Sequence, residues 1–245
     1  MKQRLDQYLF QNGFFNSRAR AVDAIKNGHI ILNGVPASKA SQMVHPEITV
    51  EISGQTHPYV SRGGLKLAKA LECFSLTAKD KICLDLGAST GGFTDVLLRD
   101  GAARVFALDV GTDQLAPELL VDHRVVNLSG VNARDLNEAE ISANIQVVVC
   151  DVSFISLRLV LPPALRLATP GSWLMALIKP QFEAGRSALG KNGVIKDPEI
   201  HQRVCDEFSS WFRETAPDWT IRGIEDSPIT GPKGNREFLF AAEYS

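Results

Sequence analysis

The segment DLGASTGGFTD, residues 85–95, constrains the fold more than any other stretch of the chain. It follows the apolar residues 82–84, which are typical of a buried strand, and it places Gly87 shortly after Asp85. Because glycine has no Cβ, the backbone can turn sharply at Gly87 and approach a ligand closely. The segment therefore predicts a strand that ends at Asp85, a ligand-binding turn, and a helix that opens with the glycines at positions 91 and 92.

Apolar runs of this kind recur and alternate with helical segments, which indicates an α/β fold with a mostly parallel sheet. The runs are residues 82–84, 105–108, 147–149 and 174–178. Residues 198–214 are expected to form a further helix, with Asp197 as its cap. Two late strands, 219–225 and 237–242, are expected to form a terminal hairpin on the sheet.

The amino-terminal part is predicted to be a compact α+β module. It begins with two short helices, the second of which is capped by Ser17. Residues 29–32 then form a strand that runs into Asn33 and Gly34, a strong hairpin-turn signal, and residues 48–52 alternate as a partner strand.

The stretch SGQTHPYVSRGG, residues 53–64, lacks periodicity and is expected to be the linker between two domains, 1–58 and 59–245. Charge also differs along the chain. Residues 1–62 carry seven bases and four acids, whereas the whole chain carries 26 bases and 28 acids. A polyanion is therefore expected to contact the amino-terminal domain first.

The composition, 44% hydrophobic and 22% charged, is that of an ordinary globular protein. No run of about 18 apolar residues and no signal peptide is evident, so a cytoplasmic location is expected, without membrane association. No two cysteines have the close spacing of a zinc knuckle or a redox dithiol, which predicts reduced, buried thiols. They are Cys73, Cys83, Cys150 and Cys205.

Two ligands suit a glycine turn after the first strand of such a sheet: a dinucleotide and S-adenosylmethionine. Ser89 stands where the dinucleotide fingerprint requires a glycine close to the pyrophosphate, which favours S-adenosylmethionine. Asp109 ends the next strand and could accept hydrogen bonds from the ribose of either ligand. Asp135 could reach the adenine amino group or could be a solvated surface acid. Asp85 could cap the turn or lie near the sulfonium and amino groups of the cofactor.

Four further polar residues are candidates for chemistry. Lys179 and Asp151 each follow an apolar strand, and parallel geometry places both on the same rim of the sheet, which suggests proton chemistry. Lys66 could supply a cation near Lys179, or it could be an exposed helix lysine. Lys179 itself could instead extend from the edge of the core into solvent. Glu237 follows a tight glycine loop and could equally pair with a neighbouring base.

The motifs DLGASTGGFTD, CDVSFISL, IKPQFE and SPITGPKGNREF together resemble the haemolysin-A-type (TlyA) family. The stretch RLDQYLFQNGFFNSRARAVDAIKNGHIILNG is similar to an S4 RNA-binding domain. The resemblance implies an S4-like domain followed by a Rossmann-like class I methyltransferase domain of the FtsJ type. It also implies methylation of ribose 2'-hydroxyl groups in ribosomal RNA, with ribosomal RNA or ribosomal subunits as partners.

The resemblance also assigns residues to roles. The family's Lys-Asp-Lys-Glu tetrad maps onto Lys66, Asp151, Lys179 and Glu237, and the expected mechanism needs no metal ion. The expected contacts of S-adenosyl-L-methionine are Asp85, Gly87, Ala88, Ser89, Thr90, Gly91, Gly92, Phe93, Asp109 and Asp135. The residues expected to hold RNA phosphates are Arg4, Arg18, Arg20 and Lys26.

Three other functions stay open at this point. They are a nicotinamide-dependent oxidoreductase, an RNA-binding assembly factor with a non-catalytic cofactor pocket, and a membrane-active haemolysin. The sequence offers the haemolysin little support, since neither an apolar span nor a strongly basic amphipathic helix is evident.

Overall fold

The computed structural model describes residues 2–15, 17–26, 28–53, 57–137, 139–141, 143–185 and 188–245. The chain divides into two compact units, Met1–Arg62 and Gly63–Ser245, and each encloses a hydrophobic core of its own. The division falls inside the stretch 53–64 that the sequence indicates as a linker.

The first unit packs two short helices against small antiparallel strands. Its elements in chain order are β1 (Gln3–Arg4), α1 (Leu5–Gln11), α2 (Arg18–Lys26), β2 (Ile30–Leu32), β3 (Val35–Pro36), β4 (Met43–Val44) and β5 (Val50–Ile52). Leu5 and Leu9 of α1 pack with Ile25 of α2 and Ile30 of β2 in the core. The Ser17 hydroxyl accepts a hydrogen bond from the backbone amide at position 20, as its predicted capping role requires.

The predicted hairpin turn lies between β2 and β3. Asn33 and Gly34 both have left-handed backbone angles, with φ of 48° and 79°, which match a two-residue turn of type I′. Leu32 pairs with Val35 across this turn and with Val50 on the other side. The predicted partner strand β5 therefore pairs with β2, but the immediate hairpin partner is the short strand β3, which the pattern did not indicate.

The second unit is an α/β domain. Its elements are α3 (Gly63–Phe74), β6 (Ile82–Leu86), α4 (Gly92–Arg99), β7 (Arg104–Asp109), α5 (Pro117–Leu120), β8 (Val125–Ser129), β9 (Ile145–Cys150), α6 (Leu157–Leu165), β10 (Ala168–Ile178), α7 (Pro180–Glu183), α8 (Pro198–Thr215), β11 (Trp219–Asp226) and β12 (Phe238–Tyr244).

Seven strands form one sheet in the order β11-β12-β10-β9-β6-β7-β8. The five strands from β10 to β8 pair in parallel, whereas β12 is antiparallel to β10 and β11 is antiparallel to β12. The mostly parallel sheet and the terminal hairpin are thus confirmed. The chain runs from β6 outward through β7 to β8 and then returns to β9 on the other side of β6. This reversal opens a crevice at the carboxyl ends of β6 and β9, where ligands bind in such sheets.

Helix α8 and the terminal hairpin complete the core next to this sheet. The backbone amide of Glu199 donates to the side chain of Asp197, which confirms the predicted cap. Phe208 and Phe212 of α8 are fully buried and meet the ring of Phe240 edge-on, with ring centroids 5.0 and 4.9 Å apart. Such contacts fix the hairpin to the sheet.

No helix within the described part of the chain is long and apolar enough to cross a membrane. All four cysteines are free. Cys83, Cys150 and Cys205 are buried, as predicted, whereas Cys73 near the end of α3 is exposed, so the prediction was wrong for this residue.

Candidate active site

The crevice between β6 and β9 is built by close backbone approach. The amide of Asp151 donates to the carbonyl of Leu86 over 3.0 Å, and the amide of Gly87 donates to the carbonyl of Leu108 over 2.9 Å. Gly87 has φ of 82°, and a Cβ at this position would lie 2.8 Å from the carbonyl oxygen of Asp151. Only glycine fits here without displacing one strand end from the other.

A cavity of about 550 Å³ opens at these strand ends. Gly87, Ser89 and Asp109, three of the predicted cofactor contacts, line it. The Asp109 carboxylate accepts hydrogen bonds from the amides of Ser89 and Gly111, both 2.8 Å long, so it is held at the end of β7. Each of its oxygens has a second lone pair with which a ligand hydroxyl could still be bound.

Other predicted cofactor residues lie beside the cavity rather than in its wall. Ala88, Gly91, Gly92 and Phe93 are buried in the turn and the first turn of α4. A Cβ at Gly91 would overlap the side chain of the helix α5 residue Leu119, so this glycine permits packing.

Thr90 is partly exposed, and its carbonyl accepts a hydrogen bond from the amide of Ala116. Asp135 is exposed, in a short 3₁₀ turn, and is not among the residues that line the cavity. Asn132 and Arg134 line it instead. Sequence reasoning missed both, and their position in the same polar loop as Asp135 was the signal that could have indicated them.

Asp85 is fully buried, because β6 continues through it to Leu86 instead of ending there as predicted. Its Oδ2 accepts a hydrogen bond of 2.7 Å from the hydroxyl of Thr94 in α4, and its Oδ1 has no hydrogen-bond partner among the described residues. Burial raises the pKa of Asp85 to about 7. The carboxyl group therefore ties the strand to the helix that follows the turn.

Four charged side chains that are distant in sequence converge beside the same crevice. Lys179 Nζ lies 2.5 Å from Asp151 Oδ1, and Lys66 Nζ lies 3.3 Å from Asp151 Oδ2. Lys66 Nζ also lies 2.6 Å from Glu237 Oε2, a distance typical of an ion pair. The structure thus brings the four predicted catalytic residues into one network.

Each member of the network is positioned by a different element. Lys66 lies on the buried face of α3 and is only 7% exposed, so the alternative of an exposed helix lysine is wrong. Asp151 and Lys179 follow β9 and β10, and Glu237 precedes β12. A Cβ at Gly231 would overlap Glu237 Oε1, which shows that the glycine loop before β12 packs directly on this carboxylate.

Lys66 and Asp151 keep their charges despite burial. Burial lowers the pKa of Lys66, but the charges of Asp151 and Glu237 outweigh that effect, so this pKa lies above its usual value. Burial likewise raises the pKa of Asp151, but the two lysines outweigh it and this pKa is lowered. Lys66 and Asp151 are therefore both charged at neutral pH.

A second cavity, of about 640 Å³, lies on the other side of the loop after β9. Lys179 and Glu237 line it, as do the aromatic residues Phe154 and Phe182, whose ring centroids are 5.2 Å apart. Phe154 is 90% exposed and has the left-handed φ of 65°, which is unusual for a bulky residue. Ser153, Phe154 and Ile155 line both cavities, so the charged network lies where the two cavities meet.

In the first unit, the four predicted RNA contacts differ in how they are held. Arg4 and Arg18 both pair with Asp6, at 3.0 and 2.8 Å, and the side chain of Asp6 is only 1% exposed. Arg20 donates to the backbone carbonyl of His57. Lys26, the remaining predicted contact, lies at the end of α2 and is exposed.

Among the described residues, no group of three His, Cys, Asp or Glu side chains could hold a metal ion.

The sequence matches the FtsJ-like methyltransferase family over residues 59–244 and the S4 domain over residues 3–50. The chain belongs to the FtsJ-like methyltransferase family. The FtsJ-like domain therefore includes the sheet, both cavities and the charged network. The family implies the use of S-adenosylmethionine, and the glycine cradle at Gly87 and the acidic Asp109 suit that ligand.

Individual relatives support this membership. The Bacillus subtilis protein YqxC, provisionally named an rRNA methyltransferase, is 44% identical over 97% of this FtsJ-like chain and 84% of its own length. The Mycobacterium tuberculosis protein named 16S/23S rRNA (cytidine-2'-O)-methyltransferase TlyA is 40% identical, and the match covers 97% of this chain and 88% of that protein. A solved structure from Streptococcus thermophilus, titled provisionally as a hemolysin, has 38% identity and a TM-score of 0.79, covering 100% of this chain and 89% of its own.

The close contact at Gly87 gives a first prediction. Replacing Gly87 by alanine should lower the affinity for S-adenosylmethionine at least tenfold, because the new Cβ would collide with the Asp151 carbonyl and separate the strand ends. Isothermal titration calorimetry measures the affinity. Gly171→Ala is the matched control, since Gly171 has a similar φ of 83° but no atom within 4 Å of an added Cβ. Equal affinities in the two variants would contradict the cradle.

The buried carboxyl group of Asp85 gives a second prediction. Because the pKa of Asp85 is raised in the folded protein, the fold is stabilised at pH values below the ordinary aspartate pKa. This stabilisation is lost as the pH rises toward 7. The free energy of unfolding of the wild type should therefore fall relative to Asp85→Asn between pH 4 and 7, by at most about 1.4 kcal/mol per pH unit. Urea unfolding at several pH values measures this difference. A difference between wild type and Asp85→Asn that does not change with pH would refute the prediction.

Proposed function

We propose that this protein transfers the methyl group of S-adenosylmethionine to ribose 2'-hydroxyl groups of ribosomal RNA. The observation that carries the proposal is the charged network of Lys66, Asp151, Lys179 and Glu237 at the junction of two cavities. The name of the M. tuberculosis relative and the S4 domain support ribosomal RNA as the substrate. Such a substrate would place the protein in the cytoplasm.

We assign the cavity beside Gly87 to the cofactor and the cavity beside Phe154 to the target nucleotide. When bound, S-adenosylmethionine supplies an electrophilic methyl group. Asp109 would hold its ribose, and the turn from Gly87 to Phe93 would position it, with Asp85 bracing the turn through Thr94. Asp135 is proposed as an adenine contact, which would require the exposed loop that carries it to approach the ligand.

The acceptor cavity has the chemistry that a nucleotide needs. The exposed ring of Phe154, beside Phe182, offers a surface on which a base can stack. Lys179 lines the same cavity and would hold the 2'-hydroxyl group; after releasing one N–H proton to solvent, its amine would take the hydroxyl proton as the 2'-oxygen accepts the methyl group. Asp151 fixes the position of Lys179, while Lys66 and Glu237 balance the charge of Asp151 and complete the network. Most of the rate acceleration would come from positioning.

In the first unit, Arg4, Arg18, Arg20 and Lys26 are proposed to hold RNA phosphates, and the proposed domains are 1–58 and 59–245. Asp6 keeps the guanidinium groups of Arg4 and Arg18 in place while leaving both side chains about half exposed. Phosphate contacts would orient the RNA without reading its sequence.

The direct test is transfer of labelled methyl groups to purified ribosomal subunits and to naked ribosomal RNA, followed by mapping of 2'-O-methyl positions. An assembly factor would bind RNA without transferring methyl groups. A haemolysin would release dye from liposomes, whereas the methyltransferase should not. Some relatives carry the name hemolysin, so this comparison decides between two readings of the same family.

The network predicts the effect of removing Lys179, the lysine that lines the acceptor cavity. Lys179→Ala should lower methyl transfer by about 10²- to 10⁴-fold, because the 2'-hydroxyl group loses its proton-handling partner. Its affinity for S-adenosylmethionine, measured by calorimetry, should stay nearly unchanged. Lys69→Ala, which removes an exposed lysine of α3, is the control and should transfer at the wild-type rate. Full activity of Lys179→Ala would remove Lys179 from the site.

The exposed end of α2 allows a clean test of phosphate binding. Substituting Arg4 or Arg18 would also strip a partner from the buried Asp6, whereas Lys26→Gln removes only an exposed charge. In plots of log affinity for RNA against log salt, Lys26→Gln should reduce the slope by about 0.7 to 0.9. Lys39→Gln is the matched control, an exposed lysine of the same unit that is not a predicted contact. An unchanged slope for Lys26→Gln would exclude this contact.

A further inference from the structure

The ammonium group of Lys179 is held by two oxygen atoms of one loop. Its Nζ lies 2.5 Å from Asp151 Oδ1 and donates a hydrogen bond of 3.0 Å to the hydroxyl of Ser153. An ammonium group has three N–H donors. Within the described part of the chain Lys179 has no third acceptor, so one N–H remains for a ligand in the cavity that this lysine lines.

The second acceptor matters because one ion pair does not fix an ammonium group. Lysine ends in a flexible four-carbon chain, and its three donors can rotate about the terminal bond when only one acceptor is present. Asp151 is also shared with Lys66, which draws its other oxygen in a different direction. Two acceptors, one on Asp151 and one on Ser153, define the direction in which the third N–H points.

Ser153 itself occupies a fixed place between the two cavities. It is exposed and lines both of them. The end of its loop is anchored by Glu183, whose carboxylate accepts hydrogen bonds of 2.7 Å from the hydroxyl of Ser156 and 2.8 Å from the amide of Leu157. The next residue, Phe154, has the left-handed φ of 65°.

We propose that Ser153 is a positioning residue that aims Lys179 at the 2'-oxygen of the target ribose. Its hydroxyl group accepts one N–H of Lys179, Asp151 accepts the second, and the third is directed into the acceptor cavity. This inference rests on the proposed function of the site. It adds a fifth side chain to the charged network, and one that acts only through Lys179.

The experiment compares three variants of the full chain with the wild type. Ser153→Ala should lower kcat for methyl transfer about tenfold, the effect of one lost orienting hydrogen bond, while leaving KM for RNA and the affinity for S-adenosylmethionine unchanged. Ser153→Thr keeps the hydroxyl group and should restore most of kcat. Ser209→Ala is the matched control, because it removes a hydroxyl group that, among the described residues, bonds the Cys205 carbonyl within α8.

Three kinetic results would overturn the inference. An unchanged kcat in Ser153→Ala would show that Lys179 needs no second acceptor. A raised KM for RNA with unchanged kcat would show instead that Ser153 binds RNA directly. A loss that Ser153→Thr does not restore would assign the effect to the shape of the loop and would equally reject the hydroxyl role.

A spectroscopic measurement separates this inference from the proposed function. In the chain labelled with ¹⁵N-lysine, the Nζ signal of Lys179, assigned with Lys179→Arg, should shift or broaden in Ser153→Ala and stay unchanged in Ser209→Ala. An unchanged signal in Ser153→Ala would overturn the inference whether or not the protein methylates RNA. Absence of methyl transfer by the wild type would overturn the proposed function, while the signal would still decide the role of Ser153.

Discussion

The sharing of one carboxylate by two buried lysines is the constraint on which the functional unit depends. Asp151 lies within ion-pair distance of Lys66 and Lys179, and Glu237 adds a second negative charge beside Lys66. Two cations and two anions make a neutral set. Removing Asp151 would leave Lys179 without its ion-pair partner in the network, and removing Lys66 would do the same to Glu237; breaking a buried pair in this way is far more costly than removing a matched pair. The arrangement is therefore only stable when α3, β9, β10 and β12 meet at one end of the sheet.

The same end of the sheet carries both cavities, and the loop after β9 separates them. Asp151 faces the cavity beside the glycine turn, while Lys179 and Glu237 face the cavity beside Phe154. A charged network in this place contacts whatever occupies either cavity. Methyl transfer needs two ligands brought together at one point with a group that controls a proton, and this geometry supplies such a point. The S4 unit supplies basic side chains of the kind that hold RNA phosphates, and Asp6 keeps two of them in place.

Local patterns predicted the elements that local forces determine. The buried strands were recognised from apolar runs, the turn at Asn33 and Gly34 from its residue types, and the start of α8 from Asp197, because each depends on a few neighbouring residues. Elements with weaker patterns were missed. Strand β8 alternates partly exposed with exposed residues, and β3 has only two residues, both exposed. The first two residues of α3 were assigned to the linker because glycines at 63 and 64 suggest a break rather than a helix start.

The sequence by itself determined the α/β sheet, the glycine turn, the amino-terminal module and, through resemblance to a family, the four residues of the charged network. It left open whether those four residues meet, whether Lys66 is exposed, and whether Asp85 faces a ligand or a neighbouring helix. Only the tertiary structure decided these points, since they depend on contacts between residues up to 171 positions apart, such as Lys66 and Glu237. Periodicity reports which face of an element is buried, but the partner of a buried polar group is chosen by the packing of whole elements.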